Sequence, residues 1–64
     1  MGWVDAVDLS KISDENRHRV LEHLVSRLGR GRVQEALGVS RVTIWRLLSR
    51  QQRIDDEKLR TLLL

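Results

Sequence analysis

The feature that most constrains the fold is the four-residue run Leu37-Gly38-Val39-Ser40. Glycine readily adopts the left-handed backbone conformation that closes a helix, and serine caps a following helix by accepting a hydrogen bond from its exposed amides. Gly38 therefore predicts the end of one helix, and Ser40 predicts the start of the next. We expect the stretch from Arg32 to Leu48 to form two short helices joined by a tight turn.

Length and composition favour one small helical domain. The chain has 64 residues, with no cysteine and no proline. Without cysteine, neither a disulfide nor a Cys-bearing zinc site can hold the fold together. The absence of proline and phenylalanine, together with many Leu, Val, Arg and Glu, favours helices over strands. We expect residues 1–64 to form a single all-α domain of four or five helices around the central pair.

Polar residues mark the starts of the flanking helices. Ser13 is the expected N-cap of the first helix, and Asp55 is the expected N-cap of the last; each is followed by acidic side chains that favour a helix N-terminus. Ile54 and Leu59 have the spacing of a hydrophobic staple around the last cap. Together with the apolar spacing, these signals predict helices at residues 14–28, 32–37, 41–49 and 56–63, with a connection at residues 30–31.

The same spacing predicts which side chains face inward. They are Val20, Leu21, Leu24, Val25, Leu28, Val33, Leu37, Val39, Ile44, Leu47, Leu48, Leu59, Leu62 and Leu63. The first twelve residues are expected to form an N-terminal arm or a short helix, in which Trp3 and Val7 can share one apolar face. Trp3 either covers one end of the core or makes a dimer contact.

Positive charge is concentrated in the middle of the chain. Residues 30–54 contain six arginines and one glutamate, whereas each flank carries slightly more acidic than basic residues. On the flanks we expect an ordinary solvated surface. In the middle, nearly unpaired like charge favours a polyanionic partner, and the phosphate backbone of a nucleic acid is the natural one.

Residues 32–48 resemble the helix-turn-helix of bacterial, phage and archaeal repressors, where an apolar residue and glycine precede a Val-Ser-x-x-Thr-Ile/Val-x-x-Leu run. The matching residues here are Leu37, Gly38, Val39, Ser40, Thr43, Ile44 and Leu47. Residues 53–63, with the sequence R-I-D-D-E-K-L-R-T-L-L, are similar to the helix after the recognition helix in the lambda-repressor-like (Cro/CI-type) class. The likeness therefore covers residues 14–63. Gln34 departs from the pattern, because this class has alanine where the two helices cross. Its presence implies a wider crossing, or a glutamine stem that lies along the third helix.

The resemblance implies sequence-specific binding of double-stranded DNA through the major groove, by a transcriptional regulator or a DNA-targeting domain. The residues expected to contact bases are Arg41, Val42 and Arg46. Those expected to contact phosphates are Arg30, Arg32, Ser40, Thr43, Trp45, Ser49, Arg50 and Arg53. For Trp45 there is an alternative, a half-buried position over the seam between the third and fourth helices.

Partners and location follow from the same class. One such module touches few base pairs, so a homodimer or an additional domain is expected. The chain shows neither a basic leader nor an apolar run long enough for a membrane span, which predicts a cytoplasmic, nucleoid-associated protein. We expect no cofactor, no metal and no small-molecule substrate.

Two other functions remain open. A looser likeness, to the N-terminal helix-turn-helix regions of archaeal tyrosine recombinases (integrases), implies the DNA-locating module of a larger DNA-processing enzyme. A helical module for protein–protein interaction or dimerisation is the second. Catalysis by the chain itself is not expected, because it lacks a Cys nucleophile and a phosphate-binding glycine loop. His18 and His23 would point about 140° apart on a helix, so both are interpreted as solvated surface residues.

Overall fold

The computed structural model describes residues 8–64, which form one short 3-10 helix and four α-helices around a common core. The 3-10 helix spans Leu9–Lys11, and the α-helices are α1 (Asp14–Leu28), α2 (Arg30–Leu37), α3 (Arg41–Leu48) and α4 (Asp56–Leu63). No strand occurs within these residues, which confirms the all-α expectation. The interpretations of Trp3 and Val7 lie outside the described part of the chain.

The predicted capping residues start three of the helices. The side chain of Ser13 accepts a hydrogen bond of 3.2 Å from the Asn16 amide at the start of α1. The Asp55 carboxylate accepts one of 2.8 Å from the Lys58 amide at the start of α4. Ser40 caps α3 in the same way. Local hydrogen bonding therefore fixes where these helices begin, as the sequence indicates.

Helix α2 begins two residues earlier than predicted, so residues 30–31 are helical and not a connection. A single residue, Gly29, separates α1 from α2, with a φ of 92° that favours glycine. Its amide donates to the Val25 carbonyl at 2.9 Å, and its own carbonyl accepts from the Val33 amide at 3.2 Å. Gly29 therefore closes one helix and opens the next. Helix α3 ends at Leu48, one residue before the predicted boundary.

Every α-helix contributes to the core, and the loop before α4 adds one more residue. The fully or nearly buried apolar side chains are Leu21, Val33, Ile44, Leu47, Ile54 and Leu59. Both members of the predicted staple belong to this set, so the apolar positions flanking the α4 cap are confirmed as core residues. Leu28 was expected on the buried stripe of α1, but it is the last residue of the helix and 52% of its surface is exposed.

Arg17 of α1 is completely buried, although the charges of this flank were expected to be solvated. Its Nε donates to the carbonyl of Ile12 at 2.9 Å, and its Nη2 donates to that of Leu9 at 2.6 Å. Its Nη1 donates to the carbonyl of Ile54 at 2.8 Å, and Nη2 also lies 2.7 Å from the Asp56 carboxylate. The expectation is wrong for this residue because the 3-10 helix and the start of α4 supply an acceptor for every guanidinium nitrogen.

His18 is the second departure, since it is buried and not a solvated surface residue. The C-terminal end of α3 packs over it, and its Nε2 lies 2.8 Å from the carbonyl of Leu48. A carbonyl only accepts, so Nε2 carries the donating proton. Nδ1 lies 2.6 Å from the Glu22 carboxylate one turn along α1. His23 is exposed, as expected.

Candidate nucleic-acid interface

Helix α3 has one buried and one exposed face. Ile44 and Leu47 are buried in the core and hold the helix against the rest of the domain. The opposite face consists of exposed side chains: Arg41, Val42, Trp45 and Arg46. The three residues predicted to contact bases therefore lie together on the solvent side of α3, and Val42 keeps 57% of its surface exposed.

The hydroxyl groups around α3 differ in whether they retain a free proton. Ser40 Oγ accepts from the Thr43 amide at 3.1 Å and donates to the Thr43 hydroxyl at 3.0 Å. Ser49 Oγ donates to the carbonyl of Trp45 at 2.8 Å. A phosphate oxygen only accepts hydrogen bonds, so it requires a donor. Among these three predicted phosphate contacts, Thr43 alone keeps a hydroxyl proton that is not engaged within residues 8–64.

Arg30 and Trp45 come together although they are fifteen positions apart in the sequence. The Arg30 guanidinium lies over the indole ring, 4.3 Å from its centroid. Arg30 is the first residue of α2, and its side chain reaches the exposed side of α3. A stacked arginine keeps its edge donors available while the ring restrains its position. Trp45 retains 48% of its surface exposed beneath this cation.

Arg50 and Arg53, both predicted phosphate contacts, are engaged with the first turn of α1. Both guanidinium Nη atoms of Arg50 donate to the Glu15 carboxylate, Nη2 at 3.2 Å from Oε1. Nε of Arg53 lies 2.9 Å from the Asp14 carboxylate. The interaction between Arg50 and Glu15 stabilises the charged form of both partners, so it lowers the pKa of Glu15 and raises the pKa of Arg50. The sequence marked these carboxylates only as first-turn residues of α1.

Arg50 lies two residues after the end of α3 and closes the helix in a backbone conformation that is unusual for its residue type. Its φ is 64°, and it is the only non-glycine residue with positive φ within residues 8–64. Its amide donates to the Leu47 carbonyl at 3.3 Å, and the Gln51 amide donates to the Arg46 carbonyl at 2.9 Å. This pair of bonds is the Schellman closure of a helix, which most often has glycine at the left-handed position. Gly38 ends α2 with the same arrangement and a φ of 65°.

Four arginines of the basic segment remain without a carboxylate at ion-pair distance anywhere in residues 8–64. They are Arg30, Arg32, Arg41 and Arg46, and all are exposed. Two of them belong to the first turn of α2 and two belong to the solvent side of α3. The uncompensated positive charge is therefore concentrated on the helix pair that the sequence singles out.

Other kinds of site find little support in the described residues. Within residues 8–64, no three His, Asp or Glu side chains lie close enough together to hold a metal ion. No helix in this range is both long and apolar enough to cross a bilayer. Comparisons of the chain with protein-family models, curated proteins and solved structures found no match.

Proposed function

We propose that this chain binds double-stranded DNA by placing the exposed face of α3 in the major groove, as a transcriptional regulator or a DNA-targeting domain. The observation that carries the proposal is that four arginines on α2 and α3 lack carboxylate partners within residues 8–64, while Val42 and Trp45 of α3 are exposed. Like charges on one pair of helices repel one another, and a polyanion relieves that repulsion.

The exposed face of α3 has the chemistry needed to distinguish base pairs. The guanidinium groups of Arg41 and Arg46 can each donate two parallel hydrogen bonds to O6 and N7 of a guanine. Val42, between them on the exposed face, can contact the C5 methyl group of thymine. This combination favours a site that contains guanine and thymine.

Phosphate contacts would fix the register of α3 in the groove. Thr43 offers the free hydroxyl proton, while Arg30, supported by the indole of Trp45, and Arg32 offer charge-assisted donors. In this proposal Arg50 and Arg53 have a different role, because their guanidinium groups are bound to α1. They hold the loop after α3 in place and thereby orient the helix.

Selection of binding sites from random duplexes tests the proposal. The enriched duplex is labelled and its affinity is measured by fluorescence anisotropy as the salt concentration rises. With Arg30 and Arg32 each neutralising one phosphate, affinity should fall roughly 10-fold or more between about 50 mM and about 200 mM salt. Enrichment of two half-sites at fixed spacing would identify a dimer.

A charge-matched comparison separates the interface from general attraction. Replacing both Arg41 and Arg46 with alanine should abolish the preference for the selected duplex over a scrambled one. The double variant Arg19→Ala, Arg27→Ala also removes two positive charges, from the exposed surface of α1, and should keep that preference. If no duplex is enriched, or if binding is insensitive to salt, the proposal is wrong.

A further inference from the structure

A second surface, distinct from the exposed face of α3, is an apolar groove between α1, α2 and α4. It has a volume of about 370 Å³. Its apolar lining includes Leu24, Leu28, Val33, Leu62, Leu63 and Leu64, and α3 contributes no residue to it. Leu28 and Leu64 keep 52% and 82% of their surfaces exposed.

The groove continues along the seam between α1 and α4. An adjoining depression of about 380 Å³ shares Leu24, Leu62 and Leu63 with it and adds Val20. Val20, Leu24 and Leu28 are spaced four residues apart, so they form one ridge along α1. Together the two depressions give a continuous apolar channel, and contiguous exposed apolar surface of this kind marks interaction sites.

Two arginines lie at the edges of this channel, which form its rim. Arg19 lines the part between α1 and α4 and lies 3.6 Å from Glu15, while Arg32 lines the part beside α2 and has no carboxylate at ion-pair distance within residues 8–64. No aspartate or glutamate is among the residues that line either part. A second copy of the chain docked through the same surface would bring two such rims together, and this like-charge contact is unfavourable.

We propose that the channel binds an amphipathic helix of another protein, with leucine-like side chains in the groove and acidic residues on both sides. The apolar side chains of such a helix would cover Leu28 and the α1 ridge, in the manner of other helix-in-groove complexes. Its carboxylates would face Arg19 and Arg32 at the two edges. The two proposed surfaces share Arg32, but this inference does not rest on the proposed function, since α3 takes no part in the channel.

The probe for this proposal is a labelled helical peptide with Leu at positions i, i+3, i+4 and i+7 and Glu at its other outward positions. Its binding to the full chain is measured by fluorescence anisotropy. A second peptide with Lys in place of every Glu is the matched control. The acidic peptide should bind at least about tenfold more tightly, because only its charges complement the rim.

Two protein variants locate the binding surface. The double variant Leu28→Ser, Leu64→Ser removes two exposed apolar side chains from the channel and should weaken peptide binding by at least about tenfold. Val42→Ser removes a similarly exposed apolar side chain from α3 and should leave peptide binding within about twofold. DNA binding should instead weaken in Val42→Ser and stay unchanged in the double leucine variant. Failure of one proposal is therefore distinguishable from failure of the other.

Several outcomes would overturn the inference. Equal binding of the two peptides would remove the argument from charge, and unchanged binding by the double leucine variant would place the peptide elsewhere. A dimer seen by sedimentation that Leu28→Ser converts to monomer would assign the surface to a second copy. If a chain starting at Asp8 binds the acidic peptide at least about tenfold more tightly than the full chain does, residues 1–7 are the occupant of the channel.

Discussion

Arg17 donates a hydrogen bond of 2.8 Å to the carbonyl of Ile54, a residue 37 positions later in the chain. The same guanidinium also binds carbonyls before α1, so one buried side chain joins the beginning of the described structure to the start of α4. Removing it leaves several acceptors without a donor. Each unsatisfied buried group costs about 1–3 kcal/mol.

Arg17→Met should therefore lower the free energy of unfolding by about 3 kcal/mol or more, as measured by urea denaturation followed by circular dichroism. Arg17→Lys should recover only part of this loss, because one ammonium group cannot reach all of the acceptors. Arg19→Met, on the exposed side of α1, is the control and should stay within about 0.5 kcal/mol. An equal effect at both positions would contradict the assigned role.

Gly31 within α2 and Gly38 just after it should respond oppositely to alanine. Gly38 has a φ of 65°, whereas Gly31 is helical, and a methyl group added at either would meet no atom within 4 Å. Gly38→Ala should destabilise the domain by about 1–2 kcal/mol through backbone strain alone. Gly31→Ala should stabilise it by about 0.5–1 kcal/mol through helix propensity. Thermal unfolding of both variants measures the difference, and effects of the same sign would refute this account.

The Glu15–Arg50 pair should make stability depend on pH. The pKa of Glu15 is lowered in the folded state, chiefly by its hydrogen bond with Arg50, so the unfolded chain holds the proton more strongly. The pair's contribution is then fully present above the unfolded pKa, at roughly pH 4.3, and is lost as pH falls through the lower folded value. Glu15→Gln should be less stable than the parent chain at about pH 7, and the two should converge in acid. A difference that persists at low pH would contradict this.

The left-handed conformation of Arg50 gives a further test of the same loop. Arg50→Ala and Arg50→Gly both remove the ion pair with Glu15, but only glycine adopts a φ of 64° without strain. The glycine variant should therefore be more stable than the alanine variant by about 1 kcal/mol in urea denaturation. Equal stability of the two variants would show that the loop changes conformation when the ion pair is absent.

Base contacts and phosphate contacts should be separable on the enriched duplex. If Arg46 binds a guanine, Arg46→Ala should weaken binding of the enriched duplex by about 1–3 kcal/mol. The variant should then accept other bases at that one base pair. Arg32→Ala should weaken all duplexes alike and reduce the salt slope by about 0.9. Uniform weakening by Arg46→Ala would exclude base contact by that residue. Because Arg53 is bound to Asp14, we expect Arg53→Ala to weaken all sequences alike, and a selective loss at one base pair would contradict this.

Most of the fold was predictable because its signals are local. Ser13, Ser40 and Asp55 cap helices through bonds to amides three residues away, so their residue types alone indicate the helix starts. The early start of α2 was not predictable from Gly31, a poor helix former, since packing of α2 against the core outweighs intrinsic propensity.

The missed features depend on contacts between distant parts of the chain. Arg50 and Arg53 meet carboxylates 35 and 39 residues earlier, which no local pattern indicates. Arg17 did carry a signal, because it lies four residues before Leu21 and so continues the inward face of α1. A charged residue at an inward position indicates either a helix that begins later or a buried hydrogen-bonding centre.

Helix α3 is held against the rest of the domain by the buried Ile44 and Leu47 and, at its finish, by the bond between His18 and the Leu48 carbonyl. A helix fixed in this way presents a surface of constant shape and cannot roll to follow a distorted groove. Any adjustment needed for a close fit then falls on the partner. For a DNA duplex, this would favour sequences with flexible pyrimidine–purine steps even at positions that no side chain touches.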